Sequence, residues 1–136
     1  MLLGDFLYNS FEQWLNTTLE NDATKDTVAL VFNLYQDSEN QWSVELVGTN
    51  SFNDTAEDWV CDETFCNRDN PFTWIENAPL NNILIEMNNI LKNYLINGRY
   101  AKFLQQYQGI AFGFIDGDLH ILYKKQLNNK VYCTMN

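Results

Sequence analysis

The apolar residues between Leu80 and Leu95 recur at steps of three and four positions, which places them along one face of an α-helix. Polar residues, most of them Asn, occupy the opposite face. Asn97 and Gly98 follow the last apolar residues and are a typical C-terminal stop. The stripe consists of Leu80, Ile83, Leu84, Met87, Ile90, Leu91, Tyr94 and Leu95. Any fold of this chain must therefore bury one long helical face.

A second stripe with the same spacing begins near the start of the chain and ends at Asn21 and Asp22, which favour a stop. Its apolar positions are Leu3, Phe6, Leu7, Phe11, Trp14, Leu15 and Leu19. A further short helix is predicted within "RYAKFLQQY". The sequence thus predicts two main helices on either side of a different kind of structure.

Residues alternate between two faces in "TVALVFNLY" and in "WSVELVG", and the β-branched and aromatic content of both stretches favours strands. The intervening "QDSENQ" is typical of a turn. In the second strand, alternation directs Trp42, Val44 and Leu46 inward. The same rule directs Ser43 and Glu45 outward. The two strands are predicted to form a hairpin.

The stretch "GIAFGFIDGDLHILYKK" predicts a second hairpin. Asp116 and Gly117 at its centre suit a two-residue type I′ turn, because both central residues of that turn need positive φ. The apolar residues that alternation matches across the turn are Ile110, Phe112 and Phe114 on one side and Leu119, Ile121 and Tyr123 on the other. His120 should point away from the last three and be exposed or satisfied within the strand.

The order α-β-β-loop-α-β-β contains no βαβ alternation and predicts an α+β fold. We expect an antiparallel sheet of about four strands, formed by the two hairpins and packed on one face by the two main helices. No repeat or linker divides the sequence, and 136 residues are enough to bury a core without metal or disulfide. A single domain spanning residues 1–136 is therefore predicted.

The net charge of −10 is concentrated in the first part of the chain: residues 1–58 hold eleven acids against Lys25 alone. Such a field repels nucleic acid, whose binding requires Lys and Arg at the phosphates. It attracts a basic protein and accelerates its association. Acidity that merely keeps the protein soluble is the alternative interpretation.

Neither export nor membrane insertion is indicated by the sequence. The N-terminal stretch has no positive region or small-residue cleavage site, and no window approaches eighteen uncharged apolar residues. A cytoplasmic protein is therefore expected. Three cysteines without an export signal favour free thiols, although the spacing of Cys61 and Cys66 also permits a disulfide.

Residues 49–79 have no sustained periodicity and are predicted to be a long loop with short pieces of structure, which in a compact domain is usually functional. This loop contains "EDWVCDETFC", where acids, cysteines and a tryptophan are concentrated. A zinc site needs four ligands, and here only Cys61 and Cys66 are close; the others would have to be Cys133 or His120. The acids also lack the pattern of a calcium loop. No metal and no cofactor are therefore expected.

Catalysis by this cluster would need one carboxyl group in an apolar pocket, which Trp59, Phe65 and Trp74 are able to supply. No nucleophile, phosphate-binding loop or oxyanion element accompanies it, and the single histidine nearly excludes a nucleophilic triad. A pair of Cys133 and His120 stays open. The chain is therefore expected not to be an enzyme. The alternative is a small enzyme or ligand-binding domain that uses Asp58, Cys61, Asp62 or Glu63.

Unpaired carboxylates are costly to bury, so the acids of this loop predict an exposed negative patch. Aromatic residues among them would supply anchors for a protein partner, while the charges set encounter rate and partner choice. The predicted partner-binding residues are Asp54, Glu57, Asp58, Trp59, Asp62, Glu63 and Asp69. The expected partner is a basic protein, with no nucleic acid and no membrane.

The stretches "QWSVELVGT", "EDWVCDETF" and "GFIDGDLHILY", together with small size and acidity, give the chain a resemblance to the acidic immunity proteins that bacteria encode beside polymorphic or contact-delivered toxins. The resemblance implies a non-enzymatic inhibitor that binds a cognate toxin, often a basic nuclease, and blocks its site. A DNA-mimic inhibitor, with carboxylates spaced like phosphates, is a third hypothesis.

Overall fold

The computed structural model describes residues 3–22 and 26–125, with side chains from residue 5 onward in the first range. Both main helices and the first hairpin are confirmed at the predicted places, and so is the short third helix. In chain order the elements are α1 (Leu3–Asp22), β1 (Ala29–Ser38), β2 (Gln41–Thr49), a 3-10 turn (Asp58–Cys61), β3 (Glu63–Cys66), β4 (Phe72–Ile75), α2 (Leu80–Asn97), α3 (Ala101–Leu104), β5 (Gly109–Phe114) and β6 (His120–Lys124). Together they form an α+β domain.

The sheet has six strands and is mixed, which corrects the prediction of an antiparallel sheet of about four strands. β5 runs parallel to β1, with Leu30 opposite Ile110 and Leu34 opposite Phe114. A parallel neighbour needs a long crossover connection, and the segment that contains α2 supplies it. Periodicity within single strands carries no information on which strands pair, so the sequence did not reveal this arrangement.

Two of the strands come from the segment that was predicted to be a loop. β3 and β4 lie end to end along β2: β4 pairs with residues 41–44 and β3 with residues 47–49, both antiparallel. Each is four residues long, so alternation within it does not stand out from chance. The middle of the chain is therefore an ordered edge of the sheet.

α1 and α2 cover one face of the sheet, as predicted, and enclose the larger of two apolar cores. Phe11 and Leu15 of α1 and Met87 of α2 are buried there. The strands contribute Leu30, Phe32, Leu34, Val44, Leu46, Ile110 and Phe112. None of the described helices is long and apolar enough to span a membrane.

The opposite face of the sheet carries a smaller core, to which the strands contribute Ala29, Val31, Val47 and Ala111. Trp59 from the 3-10 turn covers this core, and its ring packs against Phe52 with 4.9 Å between centroids. The Phe52 ring lies so close to Gly109 that a side chain at that position would collide with it. The segment between β2 and β3 is thus packed against the sheet by two aromatic rings.

Ser43 and Glu45 lie on this second face, as alternation predicts, but the expectation that they point into solvent is wrong. Both are buried, and the Glu45 side chain is only 2% exposed. Alternation fixes the face of the sheet on which a side chain lies. It does not indicate whether another part of the chain covers that face.

The second hairpin is confirmed, but its turn differs from the prediction. Five residues separate β5 from β6, and no described residue has positive φ, so the type I′ turn at Asp116 and Gly117 is wrong. Instead, the Asp118 carbonyl packs directly over Gly113, where a Cβ atom has no room. A bulge then places the exposed His120 opposite Phe112, with ring centroids 5.3 Å apart.

Candidate functional site

The acidic segment, residues 54–69, lies along the β3 edge of the sheet and exposes all six of its predicted partner-binding carboxylates. They are Asp54, Glu57, Asp58, Asp62, Glu63 and Asp69. The backbone N–H of Asn50 donates to the Asp62 carbonyl at 3.0 Å, and the Ser51 hydroxyl donates to the Asp62 carboxylate at 2.6 Å. These bonds close the base of the segment between β2 and β3, so the acids are presented on a folded surface.

Two of the six carboxylates are paired with cations. Lys124 from β6 donates to Asp54 at 2.6 Å, and this hydrogen bond holds the pKa of Asp54 below its ordinary value. Arg68 contacts Glu63 at 3.2 Å. Within the described residues, no ion pair forms at Glu57, Asp58 or Asp69. Asp62 likewise has no ion pair, so four exposed negative charges have no cation beside them among the described residues.

Arg68 also reaches the buried carboxylate of Glu45, where its Nε lies 2.9 Å from Oε1. Asn33 and Tyr35 donate to the other oxygen of Glu45 at 3.0 and 2.7 Å. Burial alone would raise the pKa of Glu45, but the hydrogen bonds from Arg68, Asn33 and Tyr35 outweigh it and hold this pKa below its ordinary value. Burial and the bond to Glu45 raise the pKa of Tyr35 to about 12. The network ties the acidic segment to β1 and β2.

Trp59 is the one predicted partner-binding residue that the structure places inside the protein. Its side chain is 3% exposed and belongs to the smaller core, so it supports the segment from below and offers no anchor at the surface. Its indole Nε1 is buried without a hydrogen-bond partner among the described residues.

The cysteines and the histidine do not converge on a site within the described part of the chain. Cys61 and Cys66 are free thiols, Cys61 on the surface and Cys66 partly buried. No group of three potential metal ligands occurs among the described residues. Cys133, a candidate zinc ligand and candidate partner of His120, lies outside the described residues. The space beneath the 3-10 turn is filled by Trp59 and Phe52.

A groove of about 600 Å³ lies elsewhere, between the start of α1 and β4. Phe6 and Ile75 line it and are strongly exposed, at 61% and 74%. Every residue of β4 lines it as well. The full lining is Phe6, Leu7, Ser10, Asp37, Gln41, Trp42, Phe72, Thr73, Trp74, Ile75 and Glu76. We call this cavity the β4 groove.

A second cavity of about 580 Å³ lies between α1 and α2 and shares Glu76 with the β4 groove. Asp5, Glu76 and Glu86 line it, and no described lining residue is basic. Burial, followed by the hydrogen bond and the charge of Glu76, raises the pKa of Glu86 to about 7. Glu86 Oε1 is buried with no hydrogen-bond partner among the described residues. Trp74 donates its indole N–H to Glu76 at 3.1 Å.

The sequence contains no signal that predicts this carboxyl pair. Glu86 belongs to the polar side of the α2 stripe, where solvent exposure is the ordinary expectation, and Glu76 lies in the irregular stretch before Pro79. Ten positions and an element boundary separate the two residues. No local pattern links such a pair, and only the packing of α2 beside the end of β4 brings it together.

Comparison of the chain with protein-family models, with curated proteins and with solved structures gave no match. Fold, surface charge and the two cavities are therefore the features from which function is inferred. Two regions are candidates for a functional site: the acidic segment at one end of the β2 edge and the β4 groove at the other end.

Proposed function

We propose that this chain is a non-enzymatic binding protein whose acidic segment docks a basic protein partner. The observation that carries the proposal is the exposure of six carboxylates on one ordered segment, four of them with no ion pair among the described residues. Exposed charges of one sign raise the encounter rate with an oppositely charged partner. A partner with Lys or Arg at matching positions would complete the pairs that the protein itself leaves open.

The way in which the segment is held supports the same proposal. Packing of Trp59 and Phe52 on the sheet, and the Arg68 bridge between Glu45 and Glu63, order the segment in the free protein. Binding by an ordered surface loses less conformational entropy than binding by a mobile loop, so more of the contact energy appears as affinity. An acidic surface needed only for solubility would not require this aromatic packing or the Arg68 bridge.

The biological form of this activity that we propose is immunity: neutralisation of a cognate toxin by direct binding. The basis is the resemblance of "QWSVELVGT", "EDWVCDETF" and "GFIDGDLHILY" to acidic immunity proteins, taken with the charge of the segment. A toxin that acts on nucleic acid carries a basic active-site surface, which is the complement of this segment. Location in the cytoplasm, where such a toxin acts, belongs to the same proposal.

The proposal is tested by removing three of the four unpaired charges and measuring association. The partner is first isolated by affinity capture at low salt, eluted with moderate salt and identified by mass spectrometry. Glu57→Gln, Asp58→Asn and Asp69→Asn are combined in one variant. Its association rate constant should fall about tenfold at low ionic strength, and the dependence of that rate on salt should weaken.

A matched control carries Glu39→Gln, Asp116→Asn and Asp118→Asn, three exposed acids outside the segment. It changes the net charge by the same amount, so it isolates the effect of position. Equal rates for the two triple variants would show that only net charge matters and would refute docking by the segment. If the captured partner binds DNA and DNA competes for it, the mimic hypothesis replaces simple docking.

The alternative of a small enzyme or ligand-binding domain built on Asp58, Cys61, Asp62 and Glu63 has less support. Such a site needs a cleft that encloses its carboxylates. Aromatic side chains fill the space beneath this turn, and the β4 groove and the cavity between α1 and α2 are not lined by any of the four residues.

A further inference from the structure

The β4 groove combines an apolar floor with exposed apolar rims. Trp42 and Phe72 are buried at its base, while Phe6 and Ile75 remain exposed at its sides. Large apolar side chains that stay in solvent around a concavity are typical of a surface that another molecule covers.

β4 also has an unpaired edge facing away from β2. The Glu76 N–H bonds to the Asn40 carbonyl at 2.8 Å, which fixes the alternation of the antiparallel ladder between these strands. By that alternation, the N–H and C=O groups of Thr73 and Ile75 point away from β2. Within the described residues, β2 is the only strand that pairs with β4. The groove is therefore bordered by backbone groups that an extended segment is able to bond.

One end of the groove is strongly acidic. Glu76 lies at the junction with the second cavity, where Asp5 and Glu86 are further lining residues and no described lining residue is basic. Glu86 Oε1 is buried without a hydrogen-bond partner in the described structure. A cation placed there would satisfy that oxygen and relieve the repulsion between two adjacent carboxyl groups.

We propose that the β4 groove binds an extended polypeptide segment of a protein partner, which pairs with the free edge of β4, inserts a large apolar side chain beside Phe6 and places a Lys or Arg at Glu76 and Glu86. Side chains two positions apart in a strand share a face and lie about 7 Å apart. The pattern that we propose for the partner is an apolar residue, any residue, and then Lys or Arg, so that the apolar and the basic side chain share one face of the strand.

Charge complementarity favours a segment with Lys or Arg over a second copy of the chain or an anionic lipid surface. A second copy of the chain has a net charge of −10 and would bring its own acidic groove end to the interface, so repulsion opposes it. An anionic lipid surface is repelled for the same reason. The inference goes beyond docking by the acidic segment and does not require it, since the groove is formed by different residues.

Synthetic pentapeptides test the proposal without knowledge of the partner. The probe is acetyl-Thr-Phe-Thr-Lys-Thr-amide, and its binding is measured by amide and indole shifts in NMR titration. One control peptide replaces Lys by Gln. A second exchanges the Lys with the Thr before it, which moves the charge to the opposite face of the strand. We expect shifts at Thr73, Ile75 and the Trp74 indole, with about tenfold weaker binding of both controls.

Protein variants test where the Lys side chain of the probe binds. Glu86→Gln keeps the size of the side chain and should weaken binding of the probe about tenfold. Asp116→Asn changes an exposed acid of the β5–β6 turn that lines neither cavity, and it should leave binding unchanged. The NMR spectrum of each variant shows directly whether it is folded. If Glu86→Gln fails to fold, Glu76→Gln serves in its place. Equal binding of the Lys and Gln peptides, or shifts confined to residues outside the groove, would overturn the proposal.

The pH dependence of probe binding provides a further readout. Asp5, Tyr8 and Glu76 line the same cavity as Glu86. Burial and the charge of Glu12 raise the pKa of Tyr8. Because Glu86 must be ionised to hold the cation, binding of the Lys probe should strengthen from pH 6 to pH 8, and the Gln peptide should show no such trend. Sedimentation of the free protein checks for self-association: dimers whose formation is blocked by the probe would reveal a second copy as the occupant and refute the proposal.

Discussion

Replacing Glu86 by Gln should change how the stability of the protein depends on pH. The folded protein holds the Glu86 proton more tightly than the unfolded chain, because its pKa is about 7 instead of an ordinary 4.5. For a carboxyl with a raised pKa, the stabilising contribution is complete below about pH 4.5 and is lost as pH rises to about 7. Ionisation of Glu86 therefore lowers the stability of the wild-type protein across this window, and the neutral Gln removes that contribution.

The magnitude follows from the same pKa values. At about 1.36 kcal/mol per pH unit, the difference between 4.5 and about 7 corresponds to at most about 3.4 kcal/mol. The Glu86 side chain is partly exposed, and solvent screening reduces this bound to about 1–2 kcal/mol. The variant should thus match wild type near pH 4.5 and exceed it by about 1–2 kcal/mol at pH 8.

Urea unfolding of both proteins at several pH values between 4.5 and 8 measures this difference directly, and comparison with wild type cancels the titration of the other acids. Glu39→Gln, a surface change in the first hairpin, is the control and should follow wild type at every pH. Glu76→Gln should reproduce only part of the effect, because burial, the larger cause, still raises the pKa of Glu86 when the hydrogen bond and the charge of Glu76 are removed. A constant stability difference between the Glu86→Gln variant and wild type across the pH range would refute the carboxyl-pair argument.

Three further changes test how the acidic segment is held. Arg68→Ala leaves Glu45 buried without its cation and should lower the free energy of unfolding by about 2–3 kcal/mol in urea titrations, reduced from the cost of a fully buried pair because Arg68 is 55% exposed. Gly109→Ala removes the space that Phe52 occupies, so it should cost about 1–3 kcal/mol and increase amide hydrogen exchange in residues 50–62. Trp59→Ala should lower the free energy of unfolding by about 3–5 kcal/mol in thermal unfolding. Trp59→Phe deletes the unpaired indole N–H, so its cost should be smaller than that of Trp59→Ala by at least about 1 kcal/mol.

Long elements were predictable because their patterns repeat. α1 and α2 have 20 and 18 residues, so their stripes extend over several turns, and the first hairpin has two long alternating strands. β3 and β4 have four residues each and repeat nothing. The parallel pairing of β1 with β5 depends on where the intervening helices pack, and no local rule specifies that.

The candidate sites divide in the same way. Exposure of the acids was predictable, since burying an unpaired carboxylate is costly, and the six carboxylates are indeed on the surface. The burial of Trp59 was not, because an aromatic residue in an aperiodic stretch suits both a core and an interface. The pairing of Glu76 with Glu86 and the burial of Glu45 arise from contacts between distant elements. Predicting them requires the assembled fold.

In the 3-10 turn and the residues beside it, core packing and surface charge are carried by different residues. The one buried side chain of the turn, Trp59, packs on the sheet, while Glu57, Asp58 and Asp62 around it point outward. Substitutions at these outward positions alter the pattern of surface charge without disturbing the core. A lineage carrying this fold is therefore able to change its charge pattern through a few point mutations while its stability stays nearly constant, which is the freedom that the proposed docking to a changing partner would need.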